Sequence, residues 1–328
     1  MKVFVTRKIP GEHLEKLKKE GYEVAVSKVD RILSAEELVE QVRGVDAIIS
    51  MVTERIDGDL MDAAGPGLKV ISNYAVGFDN VDVTAATDRG IIVTNTPSEE
   101  VNESVAEHTW SLILALANRI VEADEFVRRG HFRGWEPDLF LGTNLIGKTL
   151  GVIGLGRIGT MVARRAQGWK MKVIYYKRTR DPSCEREMGV LYCPLDDVLK
   201  RSDFITLHVP LTEETRGMIN KGALSKMKKG AYLVNTARGK IVNEKDLINV
   251  LKSGHLAGAA LDVFEDEKNI SQELLKLPNT ITTPHIGSAT HEAREKMGEM
   301  VAAAIVAALS GKKPKTIVNE KVWEKRRK

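Results

Sequence analysis

Arg238, Glu267 and His285 each follow a short apolar run, in Val234-Asn235-Thr236-Ala237-Arg238-Gly239, Leu261-Asp262-Val263-Phe264-Glu265-Asp266-Glu267 and Thr283-Pro284-His285-Ile286-Gly287-Ser288. In doubly wound sheets ligands bind outside the carboxyl ends of the strands, so all three can converge on one crevice. Their types suit carbonyl reduction. A guanidinium fork can clamp a carboxylate while polarising the adjacent carbonyl oxygen. An imidazolium can give up a proton as hydride arrives, and a carboxylate can orient the ring. In the acidic run Glu265-Asp266-Glu267 any of the three could be that orienter.

A second cluster supplies a place for the hydride donor. Gly154-Leu155-Gly156-Arg157-Ile158-Gly159 follows a strand-like run and precedes a helix expected over Thr160–Trp169. Gly154 permits the tight turn, Gly156 lets the backbone approach a pyrophosphate, and Gly159 lets helix and strand pack closely. The helix N-terminus, with Arg157 and Ile158 in its approach, adds free N–H groups and a positive dipole end. About twenty residues beyond the last glycine, an acidic residue would hold the ribose hydroxyls of NAD(H). The chain instead offers Tyr176-Lys177-Arg178-Thr179-Arg180. Three cations and the Thr179 hydroxyl suit a 2′-phosphate, which favours NADP(H) with NAD(H) as the alternative.

These groups need a scaffold, and the sequence alternates short β-branched runs with longer amphipathic ones, the pattern of parallel α/β folds. Strands are expected at Val3–Val5, Glu23–Val26, Ala47–Ser50, Val70–Ser72 and Ile91–Thr94, with helices at Gly11–Glu20 and Ser34–Val42. Ser34 with Glu37 reads as a capping box. Pro97 marks a break. One long helix is expected from Asn102 to Arg129, its apolar middle buried between domains or against a partner subunit. Leu150–Ile153 opens a second array, continued at Lys172–Tyr176, Phe204–His208, Tyr232–Asn235, Ala257–Asp262 and Thr280–Thr283, before a final helix at His291–Ser310. The fold class is thus α/β with two doubly wound parallel sheets, Rossmann-like and flavodoxin-like. The expected domains are a discontinuous outer one (1–98 with 289–328) and an inserted dinucleotide-binding one (99–288).

Composition narrows the rest. With 328 residues, 43% apolar and 29% charged, the chain exceeds one core and is neither disordered nor collagen-like. Forty-nine basic against 45 acidic residues leave a diffuse excess of four, not the basic stripe that nucleic acid requires. Cations close the chain at Glu324-Lys325-Arg326-Arg327-Lys328, expected to be a solvated, mobile tail. Cys184 and Cys193 lie nine positions apart, and no His/Cys cluster suggests a metal. No signal segment or membrane span is evident, so a cytoplasmic protein with no membrane partner is expected.

Four motifs in this order (Leu155–Gly159, Asn235–Gly239, Ala260–Glu265 and Thr283–Gly287) resemble signatures of the D-isomer-specific 2-hydroxyacid dehydrogenase family. The resemblance covers nearly the whole chain and implies a formate-dehydrogenase-like arrangement of domains and a homodimer joined through the cofactor domain. It assigns substrate orientation to Arg238, orientation of the histidine to Glu267, and acid/base work to His285. Lys268 stands where family members commonly have proline. The resemblance further implies that the Val76 and Gly77 N–H groups bind the substrate carboxylate. Ala237 and Asp262 resemble the positions that hold the nicotinamide carboxamide, and Val209, Pro210 and Thr215 resemble the loop on the adenosine side. Thr236 and Gly287 belong to the cofactor-side motifs, and hinges are expected near Pro97 and Gly287.

Within the family, Asn73–Gly77, Tyr175-Tyr176 with Arg178-Thr179-Arg180, and His285–Ala289 are similar to archaeal-type glyoxylate/hydroxypyruvate reductases, which implies a small 2-oxo acid substrate. Val76 and Met51 imply a small pocket, with Trp135 capping it from the same or a partner subunit. Gly130–Trp135, Gln167–Trp169, Met51 and Arg294 also resemble phosphite dehydrogenase, but Val76 lacks the lysine that dianion needs. Phosphoglycerate dehydrogenase and a non-catalytic dinucleotide-sensing corepressor are the remaining alternatives on this fold.

Overall fold

A computed structural model describes residues 1–327, which fall into two compact units: Met1–Val101 with the segment from Ala289 onward, and Asn102–Ser288. The first unit is built on β1 (Lys2–Val5), β2 (Glu23–Val26), β3 (Ala47–Ser50), β4 (Val70–Asn73) and β5 (Ile92–Thr94). These pair in parallel in the order β2-β1-β3-β4-β5. Between them run α1 (His13–Lys19), α2 (Ala35–Gln41), α3 (Gly58–Ala64) and α4 (Val83–Asp88). The strands are short continuous apolar runs because both faces are covered. Val3, Val5, Ile49, Val70 and Ile92 enter one core, while Phe4, Ile48, Ile71 and Val93 enter the other. Each such buried side chain contributes about 1.5–3 kcal/mol. Ser34 closes its capping box with Glu37, starting α2 where the residue pattern predicts.

α5 (Glu99–Ala117) leads into the second unit, followed by α6 (Ile120–Arg128). The single helix expected from Asn102 to Arg129 is therefore broken. The Thr143 N–H takes the Ala117 carbonyl at 2.7 Å, and Arg119 turns left-handed at φ 54°. Gly142 lies so close that a Cβ there would sit 2.4 Å from that same carbonyl oxygen. A donor from a distant loop has replaced the next turn of helix. The apolar middle of α5 also has a nearer cover than the one expected. Trp110, Leu112, Ile113 and Leu116 join Leu150, Val152, Val234 and Ala260 in a core of their own unit.

The second sheet holds β6 (Thr149–Ile153), β7 (Lys172–Tyr176), β8 (Leu191–Tyr192), β9 (Phe204–Leu207), β10 (Ala231–Asn235), β11 (Leu256–Leu261) and β12 (Thr280–Thr282). All pair in parallel, in the order β12-β11-β10-β9-β6-β7-β8. The two-residue β8 escaped the sequence pattern. Helices α7 (Arg157–Ala166), α8 (Pro182–Met188), α9 (Leu195–Arg201), α10 (Lys221–Lys226), α11 (Glu244–Lys252) and α12 (Gln272–Leu275) cover the faces. α13 (His291–Leu309) returns to the first unit, where Ala293, Met297, Val301 and Ile305 are buried in its core. Among the described residues no helix is long and apolar enough to cross a membrane.

The C-terminal segment is no solvated tail. Val318 donates to the Val93 carbonyl, and Asn319 bonds the Val93 N–H and the Ile91 carbonyl. Arg326 stacks at 3.7 Å on Trp323, and Arg327 is half-buried, donating to the carbonyls of Gly65, Leu68 and Arg89. Those carbonyls, just past the ends of α3 and α4, need donors, and a guanidinium reaches all three. Lys328, the last residue of that expected tail, lies outside the described residues.

Candidate active site

At β6 the strand order of the second sheet reverses, with β9 on one side and β7 on the other. The carboxyl ends of β6 and β9 therefore flank a topological switch point, where such folds take their ligand. The glycine turn sits there. Gly154 has φ 101°, and a Cβ would lie 2.6 Å from the backbone of His208, at the end of β9. Gly159 is packed so that a Cβ would come 2.1 Å from the Gly154 carbonyl oxygen. Gly156 differs: nothing lies within 4 Å of the position its Cβ would take. That space, over the N-terminus of α7, is the room a pyrophosphate needs. The helix begins at Arg157 rather than Thr160, with Gly156 as N-cap and no capping side chain, so Arg157 and Ile158 form its first turn. The residues fit a dinucleotide.

The cations after β7 are not equivalent. Lys177 pairs with Asp181 at 3.2 Å, and Arg180 grips Glu185 at 2.8 and 2.7 Å. Bonds from Ser183, Cys184 and Lys177 hold the Asp181 carboxyl far below the usual range. Arg178 makes no hydrogen bond or ion pair among the described residues, although it lowers the pKa of Glu214. Arg178 and Thr179 are thus the free members of the cluster. Across the crevice, the Thr215 hydroxyl donates to the Pro210 carbonyl at 2.7 Å, closing the loop that begins at Val209.

Further along the same edge, Asn235, Leu261 and Thr282 stand level on β10, β11 and β12. The segments that follow carry Arg238, Glu267 and His285. Glu267 Oε1 lies 2.8 Å from His285 Nδ1, with both side chains about one-third exposed. Arg238 follows β10 in an extended conformation, its carbonyl held by Asn235 Nδ2 at 2.9 Å. His285 itself is left-handed, at φ 54°. Asp262 holds that conformation in place. Its Oδ1 accepts from the Thr283 hydroxyl and the Ile286 N–H, and its Oδ2 from the Gly287 N–H, at 2.7–2.8 Å. Burial opposes ionisation of Asp262, but hydrogen bonds from His108, Thr283 and Ile286 bring its carboxyl below the usual range. Asp262 is 1% exposed, and both its carboxylate oxygens bond the loop that carries His285. Thr109 bonds Thr236 at 2.9 Å, and Ser104 bonds the Gly287 carbonyl at 2.8 Å. Thr236 lies beside Ala237, whose N–H is held by Asn235 Oδ1. Sequence reasoning passed over Ser104, His108 and Thr109. Nothing in the polar first half of α5, residues 99–109, singles them out from their neighbours.

In the first unit, Met51 and the Asn73–Gly77 turn follow the neighbouring strands β3 and β4, whose last residues, Ser50 and Asn73, are in register. Met51 and Val76 both rest on the core of that unit. Tyr74, in the turn, donates its hydroxyl to the Arg294 carbonyl at 2.8 Å, and Arg294 lies 5.9 Å from the Tyr74 ring. The structure thus groups Met51, Val76, Gly77 and Arg294. Two residues not foreseen tie this group together. Asn80 Nδ2 donates to the carbonyls of Met51 and Glu54 at 3.0 Å, and buried Glu54 accepts from the Met51 N–H. Burial pushes the Glu54 carboxyl up. Trp135, by contrast, is 85% exposed.

A model of the D-isomer specific 2-hydroxyacid dehydrogenase NAD binding domain matches residues 110–287. A curated glyoxylate reductase from Thermococcus kodakarensis is 49% identical over 330 residues, 99% of this chain and 98% of the relative. The TT0316 protein from Thermus thermophilus superposes with a TM-score of 0.91 at 43% identity, covering 97% of this chain and 100% of that one. An NADPH-dependent glyoxylate/hydroxypyruvate reductase from Sinorhizobium meliloti, solved with NADP and malonate, gives a TM-score of 0.85 at 32% identity, with 100% and 98% covered. Switch-point glycines, a Glu–His pair on the same sheet edge and likeness over the full length place this chain in the D-isomer specific 2-hydroxyacid dehydrogenase family.

Proposed function

We propose that the protein reduces a small 2-oxo acid, glyoxylate or hydroxypyruvate, to the D-2-hydroxy acid. The observation that carries this reading is the Glu267–His285 pair on the carboxyl edge that also holds the dinucleotide turn. A bound nicotinamide dinucleotide, held by the Gly154–Gly159 turn, supplies the hydride. Arg238 binds the acid through its carboxylate and polarises the carbonyl oxygen. His285 gives its proton to that oxygen as negative charge develops. Glu267 holds Nδ1, which leaves Nε2 as the atom that delivers the proton. The Val76 and Gly77 N–H groups bind the substrate carboxylate, and Met51, Arg294 and Trp135 complete the specificity set. Val76 adds no cation, which suits a monoanion.

NADP(H) is the preferred cofactor in this reading, with Arg178 and Thr179 at the 2′-phosphate and Lys177 and Arg180 recruited from Asp181 and Glu185. Ala237, Asp262 and the Val209–Thr215 loop lie on the cofactor side, Asp262 through the loop it anchors. Steady-state rates of NADPH and NADH oxidation with a panel of 2-oxo acids test both parts. Arg178→Ala is expected to raise KM for NADPH about tenfold, the share of one charge-assisted contact, and leave KM for NADH nearly unchanged. An unaltered NADPH/NADH ratio would defeat the 2′-phosphate assignment, and no turnover of any 2-oxo acid would defeat the function.

The reading includes a cytoplasmic homodimer joined through the cofactor domain. What supports the dimer is the second unit's exposed apolar surface: α6 has no buried residue, and Ile120, Val121 and Val127 on it are 48–55% exposed. Elsewhere in the same unit Phe132, Leu141 and Ile146 are 53–68% exposed. Such patches mark association sites. Sedimentation at micromolar concentration should give about twice the monomer mass, and a monomer would remove this part of the proposal.

A further inference from the structure

The Ala75–Gly77 turn is held in an unusual way. Each of its three carbonyls has a donor from elsewhere in the first unit. The Thr96 N–H takes the Ala75 carbonyl at 2.9 Å, Asn95 Nδ2 takes that of Val76 at 2.7 Å, and Asn73 Nδ2 takes that of Gly77 at 2.9 Å. The N–H groups of Val76 and Gly77, by contrast, hydrogen-bond to nothing among the described residues. Both residues are only partly buried, so these donors are open to a ligand.

Planarity links the two facts. In a trans peptide the carbonyl of one residue and the N–H of the next point in opposite directions. Fixing the Ala75 carbonyl therefore aims the Val76 N–H, and fixing the Val76 carbonyl aims the Gly77 N–H. The two clamps, Thr96 and Asn95, are consecutive and follow β5, the strand paired with β4. Asn73 is braced in turn: its Oδ1 accepts from the Ser50 hydroxyl, and its amide donates to Asn80 Oδ1. A backbone anion site works only when its donors already point at the anion, because reorientation would consume the binding energy.

Resting on the proposed role of Val76 and Gly77, we infer that Asn95 is a positioning residue for the substrate carboxylate: its side-chain amide pins the Val76 carbonyl and so aims the Gly77 N–H at the anion. Asn95 is half-buried and its carboxamide makes this one bond, so it can be changed without emptying a core. Asn73 makes four side-chain bonds to three residues and is fully buried, which makes it the poorer probe.

The experiment compares the parent with Asn95→Ala and the isosteric Asn95→Asp, measuring KM for glyoxylate, KM for NADPH, kcat and melting temperature. For Asn95→Ala, KM for glyoxylate should rise about tenfold, the share of one aimed hydrogen bond to an anion. KM for NADPH should stay within about twofold and the melting temperature close to the parent's. Asn95→Asp should raise KM for glyoxylate further, because the carboxylate cannot donate to the Val76 carbonyl and repels the substrate. A purely structural Asn95 would lower stability and alter both KM values together, and that result overturns the inference. So does a parental KM for glyoxylate in both variants while the parent enzyme turns over, an outcome that leaves the proposed function standing. If Asn95→Ala fails to fold, Asn95→Asp decides by the same criteria. Absence of 2-oxo acid turnover in the parent would overturn the functional reading and this inference with it.

Discussion

His285→Asn is expected to lower kcat about a thousandfold, within the range that removal of a general acid produces, while KM for the oxo acid and the melting temperature change little. Asparagine is the informative replacement because His285 sits at φ 54°. Asparagine adopts that conformation with little penalty, so the loss of the imidazole is read without added backbone strain. The Asp262 bonds to Ile286 and Gly287 do not involve the His285 side chain, so the loop should keep its shape. A companion substitution, Glu267→Gln, retains the length of the side chain that meets Nδ1 at 2.8 Å. It removes the charge and can donate as well as accept, so the ring tautomer is no longer dictated. A smaller fall in kcat, about 10- to 100-fold, follows. Stopped-flow measurement of the oxidation of prebound NADPH separates this chemistry from product release. A His285→Asn enzyme retaining more than about a tenth of parental kcat would remove His285 from the acid role.

Much of this was legible in the sequence because it is local. Continuous apolar runs mark strands covered on both faces, and Ser34 with Glu37 starts α2 through contacts three residues apart. The glycine turn reads directly because each glycine answers a separate steric demand, from the His208 backbone at Gly154 to open space at Gly156. What the sequence withholds depends on partners far along the chain. Nothing near Asn118 announces that Thr143 will capture the Ala117 carbonyl and end α5. Arg327 reads as one more terminal cation because the carbonyls of Gly65, Leu68 and Arg89 that receive it lie about 240–260 positions away. The site divides along the same line. Arg238, Glu267 and His285 are visible as polar residues ending apolar runs. The anchoring by Asp262 and the clamping of the Ala75–Gly77 turn by Asn73, Asn95 and Thr96 arise only when separate loops meet, each at the edge of its own sheet.

Gly239→Ala should damage both stability and catalysis, and the reason lies in how close two loops run. A Cβ at residue 239 would lie 1.9 Å from both the carbonyl carbon and oxygen of Phe264, and 2.5 Å from the Glu265 nitrogen. These are backbone atoms, so no rotamer change relieves the overlap. One loop has to move. Arg238 immediately precedes Gly239 on the first loop, and Glu267 follows Glu265 on the second. The second loop is also tied at Glu265, whose N–H donates to Glu244 Oε1 at 2.5 Å while Glu265 Oε1 accepts from the Glu244 N–H at 3.3 Å. Burial raises the pKa of Glu244, so a bond weakened there leaves a costly buried carboxyl. The methyl therefore either lifts Arg238 from its position or drags the Glu267 segment from His285. Overpacking of this kind costs about 1–3 kcal/mol, and a displacement near 1 Å lowers kcat/KM about a hundredfold. Gly168→Ala is the matched control: its Cβ would meet the Arg165 carbonyl oxygen at 3.4 Å, an ordinary contact, and it should keep parental activity and stability. Denaturant melts and steady-state rates for the pair decide the matter. Parental kcat/KM in Gly239→Ala would mean that the two loops need no such closeness to bring guanidinium and carboxylate to their working positions.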